Sequence, residues 1–537
     1  MAPPLRSARA RRRRRWLYIF ACAAITIARA RRAYVRDDSQ VVSASSAPTT
    51  RDDDASTPYW APGITADAPR RDAIAHAARE AYAAYEAHAL GHDELAPATM
   101  RGLDDLGGVG ATLVDSLDTL HIMGLRDEFD RAWAHVKTHD SALRRLARGE
   151  VDRDVSVFET NIRVLGGLAS TYDLTGDEDA LALAEALAAR LSAAFLTPSG
   201  VPHSFVNMKT GQSFGMAWTG KASILADFGS MHLEWATLSA RARNPVYEAH
   251  TAAVFDTIMS TPVGENIPRG LFPLFFNPET GKWAGYGASF GSLGDSFYEY
   301  LIKCWRSLDA LHKADEWRMA FDAAMAGMKK SLLRTWKTSK SNERFAYVVA
   351  KGGGEFSMEH LTCFVPGMLI LGGAEAPTRA LADDYVQMAK DIARTCVAMY
   401  TSTATGLSAD TVYFGANASA PKSVVHKSIQ RPETVESLFY LYRKTGDESY
   451  REQSWMIFEA MKRNYRLPNG GWQGIEDVDK KQARGDDRMQ SFFLAETLKY
   501  LFLTFSDGDT MHLDEWVFNT EGHPFRITKN ATSRASI

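Results

Sequence analysis

From about Ile74 to Phe525 the sequence runs for some 450 residues without a linker-like break. That is well above the length at which a single ordinary core stops growing, so the span can be one domain only as a repeating or barrel-like architecture. Helical periodicity dominates it: Ile162, Leu165, Ala169 and Tyr172 share one face, as do Val435, Leu438, Phe439 and Tyr442. Strand-like alternation is sparse. Both of these helices end in Thr-Gly-Asp, at 175–177 and 445–447, where glycine can take the left-handed C-cap and aspartate can cap the next helix. Each is therefore read as a helical hairpin, and 296–305, 378–399 and 491–505 add segments of the same kind. Hairpins repeated at irregular length point to an all-α, closed α/α barrel rather than an open solenoid.

The amino-terminal end is of a different character. The first 36 residues hold 11 arginines and no acid, which leaves 51 basic against 65 acidic residues in the rest. A body with that acidic excess is a poor match for nucleic acid. Arginines 11–15 precede a run, Trp16 to Ala28, that is apolar but for Thr26. Thirteen helical residues rise about 20 Å, short of a bilayer core, so the run reads as a signal peptide or a short signal-anchor. An organellar transit peptide is the alternative. The expected organisation is a basic tail (1–15), the apolar segment (16–28), a Ser/Thr/Asp/Pro-rich stem (29–70) and the barrel body (71–537).

Four cysteines, one of them Cys22 in the apolar run, allow one bridge and one spare thiol in the body. Within the body three acids open helices: Glu159 in VSVFETNIR, Asp295 in GSLGDSFYEYL and Glu433 in RPETVESLFYLY. First-turn acids are ordinary, because the helix dipole and free N–H groups favour them. These three, however, sit among aromatic residues able to raise a carboxyl pKa, with Arg163 and Arg431 near enough to hold a neighbour ionised. A protonated and an ionised carboxyl are the minimum for glycoside hydrolysis. No HExxH, G-x-S-x-G, Walker or correctly spaced GxGxxG pattern competes.

Seven blocks in order, GGVGATLVDSLDTLHIMGL (107–125), VSVFETNIRVLGGLASTYDLTGD (155–177), GSLGDSFYEYLIKCW (291–305), EHLTCF (359–364), RPETVESLFYLYRKTGD (431–447), QSFFLAETLKYLF (490–502) and FNTEGHPF (518–525), resemble the class I α-1,2-mannosidases, glycoside hydrolase family 47. The resemblance implies an (αα)7 barrel and calcium-dependent, inverting release of terminal α-1,2-mannose from high-mannose N-glycans. It also implies a type II membrane protein of the secretory pathway, attached through its amino-terminal segment. Glu159 matches the general acid, Glu433 the base and Asp295 a third essential acid. Thr520 matches the direct calcium ligand, with Glu436, Glu496 and Glu521 acting through water. Arg163, Asp227, His360, Arg431 and Phe492 match substrate-contacting positions, Phe492 as the floor under the terminal mannose, and Cys363 and Cys396 match the family disulfide. Asp227 stands where the family usually has glutamate. Leu293, two before Asp295, resembles the Golgi enzymes, whereas endoplasmic reticulum enzymes carry arginine there, so a Golgi membrane is the expected location and the endoplasmic reticulum the alternative. The rival of a different class is an idle, glycan-binding degradation-factor relative. A pure binder has no use for both acid and base, and this chain has both.

Overall fold

The computed structural model describes residues 58–307, 312–336, 344–415 and 420–528. The basic tail, the apolar segment and most of the stem lie outside them. Among the described residues no helix is long and apolar enough to cross a membrane.

Seven inner helical segments line a ring: 111–122, 157–175, 225–242, Asp295–Ser307, 360–374, Glu433–Thr445 and 493–504. Each packs against an antiparallel outer helix, and six of those outer helices follow directly in the chain, from Arg126–Lys137 to Ser449–Asn464. The seventh outer helix is the first in sequence, Ala68–Ala89, which packs on Leu498–Thr504. Neighbouring inner helices touch around the whole ring, the last returning to the first. This is the expected (αα)7 barrel, closed by the two ends of the chain.

Sequence explains which helix is inner. Val365–Ala374 (VPGMLILGGA) is apolar on all sides, and Asp295–Ser307 and Glu433–Thr445 are buried almost throughout, as a helix within a ring must be. The Thr-Gly-Asp turns behave as read. Gly176 and Gly446 sit at φ +71° and +65° with their N–H groups on the Tyr172 and Tyr442 carbonyls. Asp177 and Asp447 then accept from Asp179 N and Ser449 N, at 2.9 Å each.

Two features depart from the sequence reading. Residues 59–67 belong with the body rather than with a stem that runs to 70: Trp60 is buried, Ala61 N–H donates to the Arg443 carbonyl, Asp67 N–H to that of Phe505, and Asp67 caps Ala68–Ala89. Short strands of two to four residues are also plentiful, too brief to show alternation. Three-stranded sheets stand just before the inner helices that begin at 157, 225 and 360, and so build the wall around that end of the barrel.

A further two-stranded element fills the ring itself. Trp516–Phe518 pairs antiparallel with Pro524–Arg526. Its outer end is tied to the C-terminal ends of inner helices, through Thr528 N on the Ser307 carbonyl and Arg241 Nη2 on the Arg526 carbonyl. Its tip, 519–522, reaches the middle of the barrel, where Asn519 Nδ2 donates to the Ile162 carbonyl at 2.9 Å. Gly166 makes room for it: a Cβ there would lie 2.6 Å from Asn519 Nδ2.

Cys363 and Cys396 form a disulfide joining the inner and outer helices of one hairpin, and Cys304 is a buried free thiol. The bridge closes a loop over 33 positions, for which chain entropy gives about 3–4 kcal/mol. Replacing both cysteines by alanine is expected to lower unfolding free energy by about that amount in non-reducing denaturant titrations, and alkylation of both thiols in the native unreduced chain would contradict the pairing.

Candidate active site

The three acids expected to open helices do so. Ser156 Oγ caps the second inner segment by accepting from Glu159 N at 3.2 Å, and Asp295 and Glu433 are the first residues of theirs. Immediately after Glu159 the helix widens into a π-helical turn, Thr160–Leu165, a distortion frequent at functional sites. All three therefore project at the same end of the barrel, into a cavity of about 300 Å³. Glu159 and Glu433 stand on the second and sixth inner segments of seven and so face each other across it. Asp295, on the fourth, lies midway.

Each acid has a different environment. Glu159 Oε2 accepts from Arg163 Nε at 2.8 Å. Glu433 Oε2 is 2.7 Å from His360 Nδ1, and Arg431 Nη1 lies 4.0 Å from its other oxygen. Asp295 Oδ1 accepts from Ser296 N at 2.9 Å, but burial dominates and, with the charges of Glu299, Glu359 and Glu433 nearby, pushes its pKa up to about 7. Asp227 is pushed up to about 8 by burial and by Glu159 and Asp295. The shorter side chain has no hydrogen-bond partner among the described residues.

Arg163, Asp227, Leu293, Arg431, Phe492, Glu436, Glu496, Thr520 and Glu521 all line this one cavity, as expected from the sequence. His360 does not. It is 3% exposed and lies behind Glu433, with Nε2 near Tyr400 Oη (2.8 Å) and Thr434 Oγ1 (3.0 Å). The expected substrate contact is thus corrected to a support for Glu433, because the histidine's ring nitrogens are both engaged within the wall. Arg163 also acts as a strut: besides Glu159 it holds Ser491 Oγ at 3.0 Å and the Glu521 carboxylate, while its guanidinium lies 5.9 Å from the Phe492 ring centre. Leu293 has φ +76°, a strained left-handed conformation for a leucine, and its carbonyl accepts from Ala226 N at 2.9 Å.

The floor of the cavity is acidic. Glu299, Glu436, Glu496 and Glu521 converge there with Thr520 at the hairpin tip. Burial, with mutual repulsion, pushes Glu436 up to about 8 and raises Glu496 and Glu521 well above the usual carboxylate range, although Lys303 and Arg163 oppose it. Among the described residues the Thr520 carbonyl and hydroxyl make no hydrogen bond. Such a surplus of buried oxygen donors is what a hard divalent cation requires, and the residues present fit calcium. Glu299 and Lys303 were missed by sequence reasoning, although Asp295, Glu299 and Lys303 recur at i, i+4 and i+8 along an otherwise apolar helix, a charged stripe that would have marked them.

Paired carboxylates facing each other over a sugar-sized cavity above an oxygen-rich floor define the site of a carbohydrate-cleaving barrel. Residues 77–527 match glycosyl hydrolase family 47. The chain belongs to that family and is a glycoside hydrolase. It is similar to mannosyl-oligosaccharide 1,2-alpha-mannosidase MNS1 of Arabidopsis thaliana, 40% identical over 87% of this chain and 80% of the relative. It is also similar to mannosyl-oligosaccharide 1,2-alpha-mannosidase IA of Sus scrofa, 40% identical over 85% of this chain and 68% of the relative. Among solved structures it matches the alpha-1,2-mannosidase from Trichoderma reesei with TM-score 0.76 and 27% identity, over 86% of this chain and all of that one.

Two predictions arise from this geometry. Because His360 supports Glu433 and does not line the cavity, His360→Ala is expected to lower kcat at least about tenfold through lost positioning while leaving KM nearly unchanged. A large rise in KM at unchanged kcat would restore the contact role. Asp227, whose folded-state pKa lies above its unfolded value, favours folding while protonated, and that contribution is lost as pH rises from about 4 to about 8. Asp227→Asn should therefore flatten the fall in stability of the metal-free protein over this window, as read by denaturant midpoints against pH.

Proposed function

We propose that the chain is a calcium-dependent, inverting α-1,2-mannosidase that trims terminal mannose from high-mannose N-glycans of glycoproteins. The observation that carries this reading is the placement of Glu159 and Glu433 across one cavity with Thr520 and four buried carboxyls beneath it. Inversion needs a proton donor on one side of the anomeric carbon and a base with its water on the other, with carboxyls about 6.5–9.5 Å apart. Glu433, backed by His360 and Arg431, serves as the base. Glu159 donates the proton on the opposite side, and Asp295, pushed up to about 7 by burial, lies midway between the two as a third carboxyl able to carry a proton. Phe492 supplies an apolar face against which a sugar ring packs. Thr520, Glu436, Glu496 and Glu521 would hold the cation, which supplies a hard centre able to bind sugar hydroxyls and water together.

The names of the relatives support the linkage and the oligosaccharide substrate. Leu293, shape and apolar contact alone, discriminates among glycan branches by only about 1–3 kcal/mol, which favours successive removal of several mannoses, as in the Golgi group that the sequence resembles. The arginine-rich amino-terminal segment favours delivery to the secretory lumen, and the Golgi-like residues, Leu293 among them, favour a Golgi membrane over the endoplasmic reticulum.

Incubation of the chain with a defined high-mannose glycan should release mannose, with β-mannose the first-formed anomer by proton NMR. Chelator should abolish release and added calcium restore it. Glu159→Gln, Asp295→Asn and Glu433→Gln are each expected to cost at least about a hundredfold in turnover. Full turnover in excess chelator would sink the metal assignment, and α-mannose as first product the mechanism. Glycan binding without release would favour the degradation-factor alternative.

A further inference from the structure

Thr520 owes its position to residues that never reach the cavity. Its backbone N–H donates to Tyr300 Oη at 3.3 Å. That hydroxyl has one hydrogen to give, and it donates it to Glu234 Oε1 at 2.6 Å, which turns a lone pair towards Thr520. The same Glu234 oxygen accepts from Asn519 Nδ2 at 2.8 Å. Together with the Ile162 carbonyl, which takes the other Nδ2 hydrogen at 2.9 Å, this fixes the orientation of the Asn519 amide, whose Oδ1 then accepts from Glu521 N at 2.9 Å and His523 N at 2.8 Å. Glu234, Asn519 and Tyr300 are all buried. One Glu234 oxygen thus bonds both groups that hold the turn on either side of Thr520.

We propose that Glu234 is the positioning residue of the cation site: through Tyr300 and Asn519 it holds the hairpin tip so that the Thr520 carbonyl and hydroxyl face the acidic floor. The inference rests on the calcium reading above. A carboxylate in this place does more than fill space, because an apolar side chain of the same size would leave the Tyr300 hydroxyl and one Asn519 N–H without an acceptor in a buried setting, free to rotate or recruit other partners. Glutamine, presenting its carbonyl oxygen at the same point, keeps both bonds.

The test is a calcium titration of the whole chain after chelation, followed by thermal shift and by calorimetry, for the unsubstituted protein, Tyr300→Phe, Glu234→Met and Glu234→Gln. Loss of the buried hydrogen bonds that hold the tip predicts that Tyr300→Phe and Glu234→Met each raise the calcium concentration at half-shift by at least about tenfold, while Glu234→Gln stays close to the unsubstituted chain. A merely structural role would lower the melting temperature of the calcium-free form and leave the calcium midpoint unchanged, and that result in Tyr300→Phe overturns the inference even if Glu234→Met does not fold. An unsubstituted chain that shows no response to calcium takes down the calcium reading and this inference together; a normal response there with an unmoved midpoint in Tyr300→Phe takes down this inference alone.

Discussion

Buried charge has to be matched by buried countercharge, and in this barrel the most deeply enclosed matching ties the central hairpin to the ring. Lys499, Asp118 and His523 are fully enclosed, with Lys499 Nζ 2.8 Å from one Asp118 oxygen and His523 Nδ1 2.7 Å from the other. Burial opposes the charges of Asp118 and His523, yet Lys499 and His523 hold Asp118 down to about 2, and Asp118 and Asp115 push His523 up to about 9. Lys499 also donates to the Gly522 carbonyl at 2.7 Å. The pair of strands that plugs the ring is therefore locked to the first and last inner helices by a buried ion-pair cluster, in which removal of one member leaves an uncompensated buried charge.

From that lock the rest of the site follows. Asp115 lies 3.5 Å from Arg163 Nη1, and Arg163 in turn fixes Glu159 and Glu521, so a wall carboxyl and a floor carboxyl share one strut. Lys303 ties Glu299 to the Asn519 carbonyl in the same way on the other side. Wall and floor are consequently one network, in which the hairpin tip stands where the connections cross.

The sequence discloses the wall better than the floor. Helix starts, caps and the Thr-Gly-Asp turns are local, and Glu159, Asp295 and Glu433 stand where a first-turn acid is expected. The role of Thr520 could be taken only from resemblance, because nothing local says that residues 516–526 leave the helical pattern and thread the ring. His360 shows the opposite failure: matched to substrate by its block, it turns out to be spent on Glu433, Tyr400 and Thr434, a pairing across 73 residues to Glu433 that no pattern reveals. The strands were missed because they are only two to four residues long, and Lys303 because a lysine within an apolar helix reads as an exception until Glu299 is seen one turn away.

The barrel is also polar in the sense of having a front and a back. Glu433 opens its helix at the cavity, whereas Arg443, in the last turn of the same helix, accepts Ala61 at its carbonyl, and Lys444 reaches the Tyr59 carbonyl at 2.7 Å. Glu433 and Arg443 stand ten residues apart on this helix, about 15 Å along its axis. The chain thus joins the barrel on its back. Tyr59 and Ala61 are packed about one helix length behind the carboxylates, so that a change made at this entry point leaves the approach to the cavity mouth untouched.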